Sequence, residues 1–362
     1  MLKRILSLFL IVMLAVVPAA TLWVNPPQPE DFSSLQKIEH YLRDNLIFGE
    51  ELKEVAAEVL LQSGQKELDN IFYTKDGLLE NYWPARKDAV RSANTKSVIS
   101  FAQNHDIPVG VVVIPTAAAI KQKLVPDNAP LYNQKEAISD IYHEMTGKVT
   151  ATDVYSTLYQ NYDVNTEYLY YRTGSGLTSL GGYRVYEAIA ERLRLAPLPL
   201  NRYSKEYLIH DYYGELTDSW GKNRVVGDIL AVYRVTNDQN SYYLQVSDVQ
   251  GKTTGYETMY PLENMKEDPF SIYMGGECAG FDLTVTGNNK GRSLLIFGDE
   301  STRCVAPFLS QHYDRITYCN LENADRNKMR NIDLEEYEQV LFLYSIETFC
   351  DSQSIQMVDD IP

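Results

Sequence analysis

The stretch SLLIFGDES, residues 293–301, carries the pattern that decides the fold. Its apolar residues run without alternation, which is typical of a strand buried on both faces of a parallel sheet. Gly-Asp closes the strand, and a helical pattern begins after Ser301. A turn of this kind places Asp299 and Ser301 either as caps of the helix or as groups that project into a cleft.

The same type of strand recurs along the chain, with helical patterns between the copies. The other continuous apolar runs are 109–115, 149–154, 315–320 and 340–345, and the helical patterns include 86–104, 134–146 and 179–193. Short strands that alternate with helices predict right-handed βαβ crossovers and an α/β domain of three α/β/α layers around a parallel central sheet. Residues 209–290 instead carry alternating strands separated by Asn-Asp and Gly turns, which predicts an antiparallel β insertion.

Composition and charge narrow the class of protein. The chain has 362 residues, of which 44% are hydrophobic, so it can bury one large core or two moderate ones. Its net charge of −16 makes nucleic acid a poor partner, because phosphates are repelled and no counterions are released.

The N-terminus predicts export. Lys3 and Arg4 precede an apolar stretch that runs to Val24, and a Pro-rich linker follows at 25–32, before a single domain at 33–362. A stretch of this length can act as an uncleaved transmembrane anchor in residues 1–24, with the domain outside the cell membrane. It can also be a signal that is cleaved near small residues, which leaves a secreted protein.

The four cysteines predict neither a zinc site nor a fixed disulfide framework. They are far apart and form no C-x-x-C pair, so a structural metal is not expected. Cys304 and Cys319 lie in one segment and could form a bridge, and buried free thiols are the other interpretation.

In open α/β sheets, ligands bind beyond the carboxyl ends of the strands. That rule selects a set of candidate positions before any comparison is made: 115–117, Asp153, 298–301, Asn320 and 345–347.

Seven short motifs along the chain together match the pattern of a known protein family. They are 113–120 (VIPTAAAI), 124–130 (LVPDNAP), 170–173 (YYRT), 178–181 (TSLG), 274–276 (MGG), 294–296 (LLI) and 307–309 (PFL). With these motifs the chain resembles the DHHW family of exported bacterial proteins, relatives of the SGNH hydrolases and of the alginate O-acetyltransferase-like proteins. The resemblance implies an SGNH-like, flavodoxin-like domain and a serine-based acyl-transfer site.

The chain departs from the family pattern at the positions where the family has its catalytic residues. Gly174, Ser175, Gly176 and Leu177 stand where the family reads Asp-His-His-Trp. Glu300 stands in place of the nucleophilic serine, with Ser301 one position late, and Gly275-Gly276-Glu277 stands in place of Gly-Gly-Asn. Acyl transfer needs a hydroxyl, a base and oxyanion donors, so these changes predict a catalytically degenerate site.

The expected remnant is a vestigial pocket lined by Asp299, Glu300, Ser301, Gly174, Ser175, Gly275, Gly276 and Glu277. We expect it to bind a cell-envelope carbohydrate or an envelope protein, without a cofactor or a metal. Tyr170, Tyr171 and Tyr273 could stack on sugar rings or simply pack in the core.

Three other interpretations stay open at this stage. The chain could be an active esterase or O-acetyltransferase that uses Ser301, Asp299 and His312, with His312 as the base. The carboxylates Asp299, Glu300 and Glu277 could hold Ca²⁺ or Mg²⁺ or cleave glycosides. A purely structural module would leave the pocket filled and bind its partner elsewhere.

Overall fold

The structure, a computed structural model, describes residues 16–27, 34, 37–38, 41, 45–85, 88–263, 265–266, 268–287, 290–324 and 329–362. Its strands are β1 (Glu67–Leu68), β2 (Ile71–Thr74), β3 (Gly77–Glu80), β4 (Val109–Ile114), β5 (Thr150–Thr152), β6 (Tyr203–Tyr212), β7 (Asp228–Val235), β8 (Ser241–Ser247), β9 (Thr253–Tyr256), β10 (Gly280–Thr286), β11 (Ser293–Gly298), β12 (Arg315–Asn320) and β13 (Gln339–Ser345). Its α-helices are α1 (Val17–Val24), α2 (Gly49–Gln62), α3 (Asp88–Asn104), α4 (Ala117–Ile120), α5 (Gln134–Glu144), α6 (Val154–Asn165), α7 (Ser179–Arg192), α8 (Thr217–Trp220), α9 (Thr302–Leu309) and α10 (Ile346–Asp351).

The chain divides into two compact units. The smaller comprises residues 1–68 and 218–224, and the larger comprises 69–217 and 225–362. In the smaller unit, Arg224 Nη1 lies 2.6 Å from Glu58 Oε2 on α2. No helix in the described part of the chain is long and apolar enough to span a bilayer. Most of the segment predicted as an anchor or signal, and most of the linker after it, lie outside the described residues.

The larger unit is organised around an eight-stranded sheet. Its strand order is β5-β4-β13-β11-β12-β10-β8-β9, and the first five strands are parallel. Every residue of β4 is buried, and so is every residue of β11 after Ser293. Burial on both faces explains why these strands show continuous apolar runs in the sequence, and the predicted parallel sheet is confirmed.

The predicted antiparallel insertion is split between two places. Strands β10, β8 and β9 extend the central sheet, because β10 pairs antiparallel with β12 and β8 pairs antiparallel with β10. Strands β6 and β7 form a separate two-stranded sheet. The alternating burial of β8 and β10 matches a sheet end with one face in the core.

Helix α7 begins in the way that its sequence predicts and packs unusually close to its neighbours. Thr178 is the N-cap, and its side chain accepts a hydrogen bond from the backbone N–H of Gly181. A Cβ on Gly181 would lie 2.2 Å from the carbonyl oxygen of Leu169, and one on Gly182 would lie 2.2 Å from that of Cys304. The two glycines therefore let α7 approach both α9 and the strand-like segment before the loop.

The helices cover the sheet in two groups. Helix α7 packs against α6 and α9, and α3 packs against α5, α10 and the C-terminal 3₁₀ helix Ser354–Asp360. This arrangement agrees with the predicted layers. All four cysteines are free thiols, so the possible bridge between Cys304 and Cys319 does not form.

Candidate functional site

A cleft of about 600 Å³ opens at the carboxyl ends of β4, β11 and β13. Segments 114–116, 299–304 and 345–348 form the part that follows directly from the sheet, and the loop 174–177 forms a second wall. Six residues of the insertion also line the cleft: Tyr212, Glu215, Asp268, Phe270, Tyr273 and Glu277. The cleft is therefore located where the topology of an open α/β sheet places a ligand.

The turn after β11 is held by Asp299. This side chain is 6% exposed, and its Oδ1 accepts a hydrogen bond from the Ser301 backbone N–H at 3.0 Å. Its Oδ2 accepts a second hydrogen bond from the Ser345 N–H at 2.6 Å, which ties the ends of β11 and β13 together. Asp299 thus acts as the cap of the turn, which is one of the two roles that the sequence left open.

Glu300 lies at the cleft in an ion pair. Its Oε2 is 2.9 Å from Nη2 of Arg303, and the Glu300 side chain is 69% exposed whereas that of Arg303 is 9% exposed. Ser301 lines the same cleft, is half-buried and makes no capping hydrogen bond to α9. The position after Asp299 therefore presents a carboxylate rather than a hydroxyl.

The loop before α7 is fastened from both ends. The backbone N–H of Tyr171 donates to the carbonyl of Gly176 at 3.1 Å, which closes the loop on itself. Behind it, the buried Asp228 carboxylate accepts hydrogen bonds from the N–H groups of Arg172 and Thr173, both at 2.8 Å, and from the Thr173 and Tyr168 hydroxyls. Four donors on one carboxylate keep this backbone in one conformation.

The two glycines of this loop are not required by its backbone. Neither Gly174 nor Gly176 has a positive φ, and a Cβ on Gly176 would meet no atom within 4 Å. A Cβ on Gly174 would lie 3.2 Å from Oε2 of Glu215. A side chain is therefore accommodated freely at Gly176, whereas one at Gly174 requires a small shift of the Glu215 side chain.

Ser175 is engaged by a residue that the sequence did not single out. Its backbone N–H and its Oγ both hydrogen-bond to Oε1 of Glu215, at 2.7 Å and 2.8 Å. Glu215 is exposed and lies between β6 and α8, within the insertion.

The Gly275-Gly276-Glu277 turn contributes only its last residue to the cleft. Gly275 and Gly276 have φ of +87° and +86°, a conformation that side chains rarely adopt, and they do not line the cleft. Both glycines therefore serve the turn, while Glu277 lines the cleft.

His312 lies elsewhere, and this corrects its suggested role as a base. It follows the C-terminal end of α9, about 12 Å along the helix from Ser301. Its Nε2 is 2.9 Å from the Tyr186 hydroxyl, and it does not line the cleft. Burial, reinforced by the positive charges of Arg292 and Lys290, lowers the pKa of His312 to about 4. A serine–histidine relay through Ser301 and His312 is not formed.

Carboxylates dominate the electrostatics of the cleft. Seven acidic residues line it: Glu215, Asp268, Glu277, Asp299, Glu300, Glu322 and Glu347. Among the described residues, Arg303 is the only basic side chain in the lining, and no histidine lines it. Burial, with Glu80 and Asp299 as negative neighbours, raises the pKa of Glu347 to about 8. Within the described part of the chain, no three His, Cys, Asp or Glu side chains are grouped so that they could hold a metal ion.

Two of the three tyrosines that the sequence suggested, Tyr170 and Tyr273, line the cleft, but they present almost no surface to it. Tyr170, Tyr171 and Tyr273 are each no more than 2% exposed, and the hydroxyls of Tyr171 and Tyr273 lie 2.8 Å apart in the core. The half-buried rings are Tyr212 and Phe270, which pack edge to face with centroids 5.2 Å apart. The predicted tyrosines therefore serve packing, and both partly exposed rings come from the insertion.

Sequence reasoning missed most of the insertion's contribution. Glu215, Asp268 and Phe270 follow no strand of the central sheet, so the rule on strand ends did not select them. Arg303 carried a usable signal, because it lies three residues after Glu300 at the start of a helix. Asp153 and Asn320 were selected by that rule and do not line the cleft.

Comparison with known proteins gives a family match and two similar structures of the same fold. The sequence profile described as DHHW protein matches residues 94–319. The crystal structure of a DHHW family protein from Eubacterium siraeum DSM 15702 is 18% identical, with a TM-score of 0.65 over 80% of this chain and 95% of that chain. The structure of Bacillus cereus PatB1 with sulfonyl adduct is 15% identical, with a TM-score of 0.65 over 78% of this chain and 98% of that one. No curated protein matches the chain.

Proposed function

Because the match over residues 94–319 makes this chain a member of the DHHW family, we propose that it is a ligand-binding member whose cleft no longer performs acyl transfer. We further propose that the ligand is a carbohydrate of the bacterial cell envelope. The observation that carries the proposal is the lining of the cleft. Glu300 stands there in place of a nucleophile, and no histidine lines the cleft in the part of the chain that the structure describes.

The chemistry of acyl transfer explains why this lining matters. A serine nucleophile must pass its proton to a nearby base, and the tetrahedral intermediate needs hydrogen-bond donors around a developing negative charge. Here position 300 bears a carboxylate paired with Arg303, and Ser175 is bound to Glu215 where a base is needed. Loss of the serine or the histidine lowers kcat by about 10⁶-fold in a serine protease.

The same lining suits a ligand rich in hydroxyl groups. Carboxylates accept hydrogen bonds from sugar hydroxyls, and they can do so without any change in the ligand. Tyr212 and Phe270 add partly exposed rings, and the open space beside Gly176 leaves room near the loop. A neutral carbohydrate fits these groups better than an anionic one, because the carboxylates repel negative charge.

We propose that the domain faces the outside of the cell membrane. The support is the sequence of residues 1–24, where two cations precede an apolar stretch long enough for an anchor or a signal. Protease added to intact protoplasts should then degrade the domain, whereas a cytoplasmic control protein should survive. A domain that stays intact until the cells are lysed would oppose this assignment.

The first experiment tests for turnover in the full-length protein. We expect no hydrolysis of 4-nitrophenyl acetate above that of the Ser301→Ala variant, and no mass increase on incubation with phenylmethanesulfonyl fluoride. Hydrolysis that is lost on Ser301→Ala, or a sulfonyl adduct on any hydroxyl of the cleft, would favour an esterase or O-acetyltransferase instead.

The second experiment tests binding. Full-length protein is titrated by calorimetry with neutral and anionic oligosaccharides prepared from bacterial envelope polysaccharides. We expect heat with a neutral oligosaccharide, weakened by Glu277→Gln in the cleft and unchanged by Glu257→Gln, an exposed glutamate outside it. Loss of binding in both variants, or no binding to any saccharide, would leave a protein partner as the better assignment.

A further inference from the structure

Glu215 contacts the loop 174–177 through both oxygens of its carboxylate. One carboxylate oxygen, Oε1, accepts from both the N–H and the Oγ of Ser175. The other, Oε2, lies 3.2 Å from the place where a Cβ on Gly174 would be. A carboxylate that comes from residue 215 thus stands beside the backbone of residue 174 and faces the side chain of residue 175.

The backbone around Glu215 is tied to the same loop. The Gly214 N–H donates to Oγ1 of Thr173 at 2.9 Å, and the Leu216 N–H donates to the Thr173 carbonyl at 3.0 Å. A Cβ on Gly214 would lie 2.6 Å from that carbonyl oxygen, so the backbone segments at residues 173 and 214 are in close contact. Although the Glu215 side chain is exposed, its backbone is therefore fixed on both sides relative to Ser175.

The start of α9 is also adjacent to this loop. Sγ of Cys304 lies 3.5 Å from the carbonyl oxygen of Leu177, two residues after Ser175. Cys304 is four residues after Glu300, so the two positions are separated by about one helical turn. The cleft is therefore lined by Glu300 from the turn after β11, by Ser175 from the loop, and by Glu215 from the insertion.

We propose that Glu215 is a positioning residue that supplies, from a second segment of the chain, the carboxylate that orients the side chain at position 175. In the native protein the Ser175 hydroxyl donates its hydrogen bond to the Glu215 carboxylate. The lone pairs of Ser175 Oγ are then left to accept hydrogen bonds from a ligand. This inference rests on the proposed function, since it takes the present cleft to be inactive.

The proposal has a chemical consequence that can be tested without knowledge of the ligand. An imidazole introduced by Ser175→His would donate one ring N–H to Glu215, which leaves the other nitrogen as a base. With Glu300→Ser, the new hydroxyl at position 300 can attack the sulfur of phenylmethanesulfonyl fluoride. An O–S bond forms, the S–F bond breaks, fluoride leaves with the electron pair, and the hydroxyl proton passes to the imidazole.

The experiment compares full-length variants by intact mass. Ser175→His/Glu300→Ser should form the sulfonyl adduct about 100-fold faster than Glu300→Ser alone, the lower end of general base catalysis. Adding Glu215→Gln should slow labelling by about 10-fold or more and lower the pKa of the imidazole, measured by NMR, by about one unit. Unchanged labelling and an unchanged pKa on Glu215→Gln would overturn the proposal.

A rescue variant separates positioning from simple folding effects. Gly174→Asp, added to the variant that carries Glu215→Gln, places a carboxylate beside position 175 from the other segment, and labelling should recover. Each variant must give the far-ultraviolet spectrum and melting profile of the parent. Failure of the rescue in a folded protein would count against the proposal.

The two proposals fail in different ways. Labelling of the native protein would overturn the proposed function and leave the role of Glu215 to be decided by the variants. An unlabelled native protein whose double variant also stays unlabelled would overturn only the role of Glu215.

Discussion

The ionisation of Glu347 should destabilise the folded protein at high pH, and a single substitution should remove this effect. The pKa of Glu347 is about 8 in the folded protein against 4.5 for a free side chain, because the carboxyl is withdrawn from water and has negative neighbours. Between these two values the unfolded chain releases the proton and the folded chain keeps it. The free energy of unfolding therefore falls as the pH rises from 4.5 to 8. Below pH 4.5 and above pH 8 the contribution of Glu347 no longer changes with pH.

The magnitude follows from the size of that shift. Each pKa unit corresponds to about 1.4 kcal/mol, which sets a ceiling of about 5 kcal/mol. The residue is only half-buried, so solvent screening reduces the expected effect to about 2 kcal/mol. Glu347→Gln keeps the shape and removes the ionisation, so the variant should match the native protein near pH 4.5 and exceed its stability by this amount above pH 8.

Urea denaturation at a series of pH values measures the effect directly. The matched control is Glu322→Gln, which removes an exposed carboxyl from the same cleft. Parallel stability curves of the Glu347→Gln variant and the native protein from pH 4.5 to 8.5 would contradict this prediction. An equal gain in stability in the control variant would contradict it as well.

Three further substitutions or titrations test the frame around the cleft. Asp228→Asn should lower the free energy of unfolding by about 3 kcal/mol in urea denaturation, because an amide NH₂ strands two of the donors that now face a carboxylate oxygen, among them groups of Thr173. A loss below about 1 kcal/mol would mean that the loop is held by other contacts. Gly182→Ala should cost about 2 kcal/mol by the same assay, because its Cβ meets the Cys304 carbonyl, whereas helix propensity alone predicts a gain of about 1 kcal/mol. The sign of that change decides between the two effects. His312 should titrate by NMR near pH 4, and stability should fall as the pH drops from 6.5 towards 4, since the unfolded chain binds the proton first. A midpoint near 6.5 would place this ring in water.

The central sheet could be predicted because strands that are buried on both faces show continuous apolar runs in the sequence. Strand β4 and residues 340–343 of β13 have no polar side chain, and no solvent-exposed strand needs that composition. The start of α7 was predictable for a local reason as well, since Thr178 caps the helix through its own side chain.

The partners of the insertion could not be predicted in the same way. Alternation identifies β8 and β10 as antiparallel strands, but the pattern is the same whether they extend the central sheet or form another one. Glu215 is an exposed acid in a segment between strands, and its importance depends on a contact with Ser175 across 40 residues of chain. His312 looked like a base because it is close to Ser301 in sequence, although a helix separates them in space.

The residues that stabilise the cleft differ from those at which we propose that the chemistry has changed, so the proposed change in function need not disturb the fold. The groups that fix the loop, Asp228 and Thr178, are buried and have defined backbone partners. The positions that would carry the chemistry, such as Gly176 and Glu300, face open space or solvent. An exchange at Gly176 removes no packing contact, so the fold pays almost nothing for it, whereas an exchange at Glu300 removes the ion-pair partner of the buried Arg303. The open position at Gly176 should for the same reason tolerate a larger side chain, whereas the frame of the cleft should not tolerate a change at Asp228.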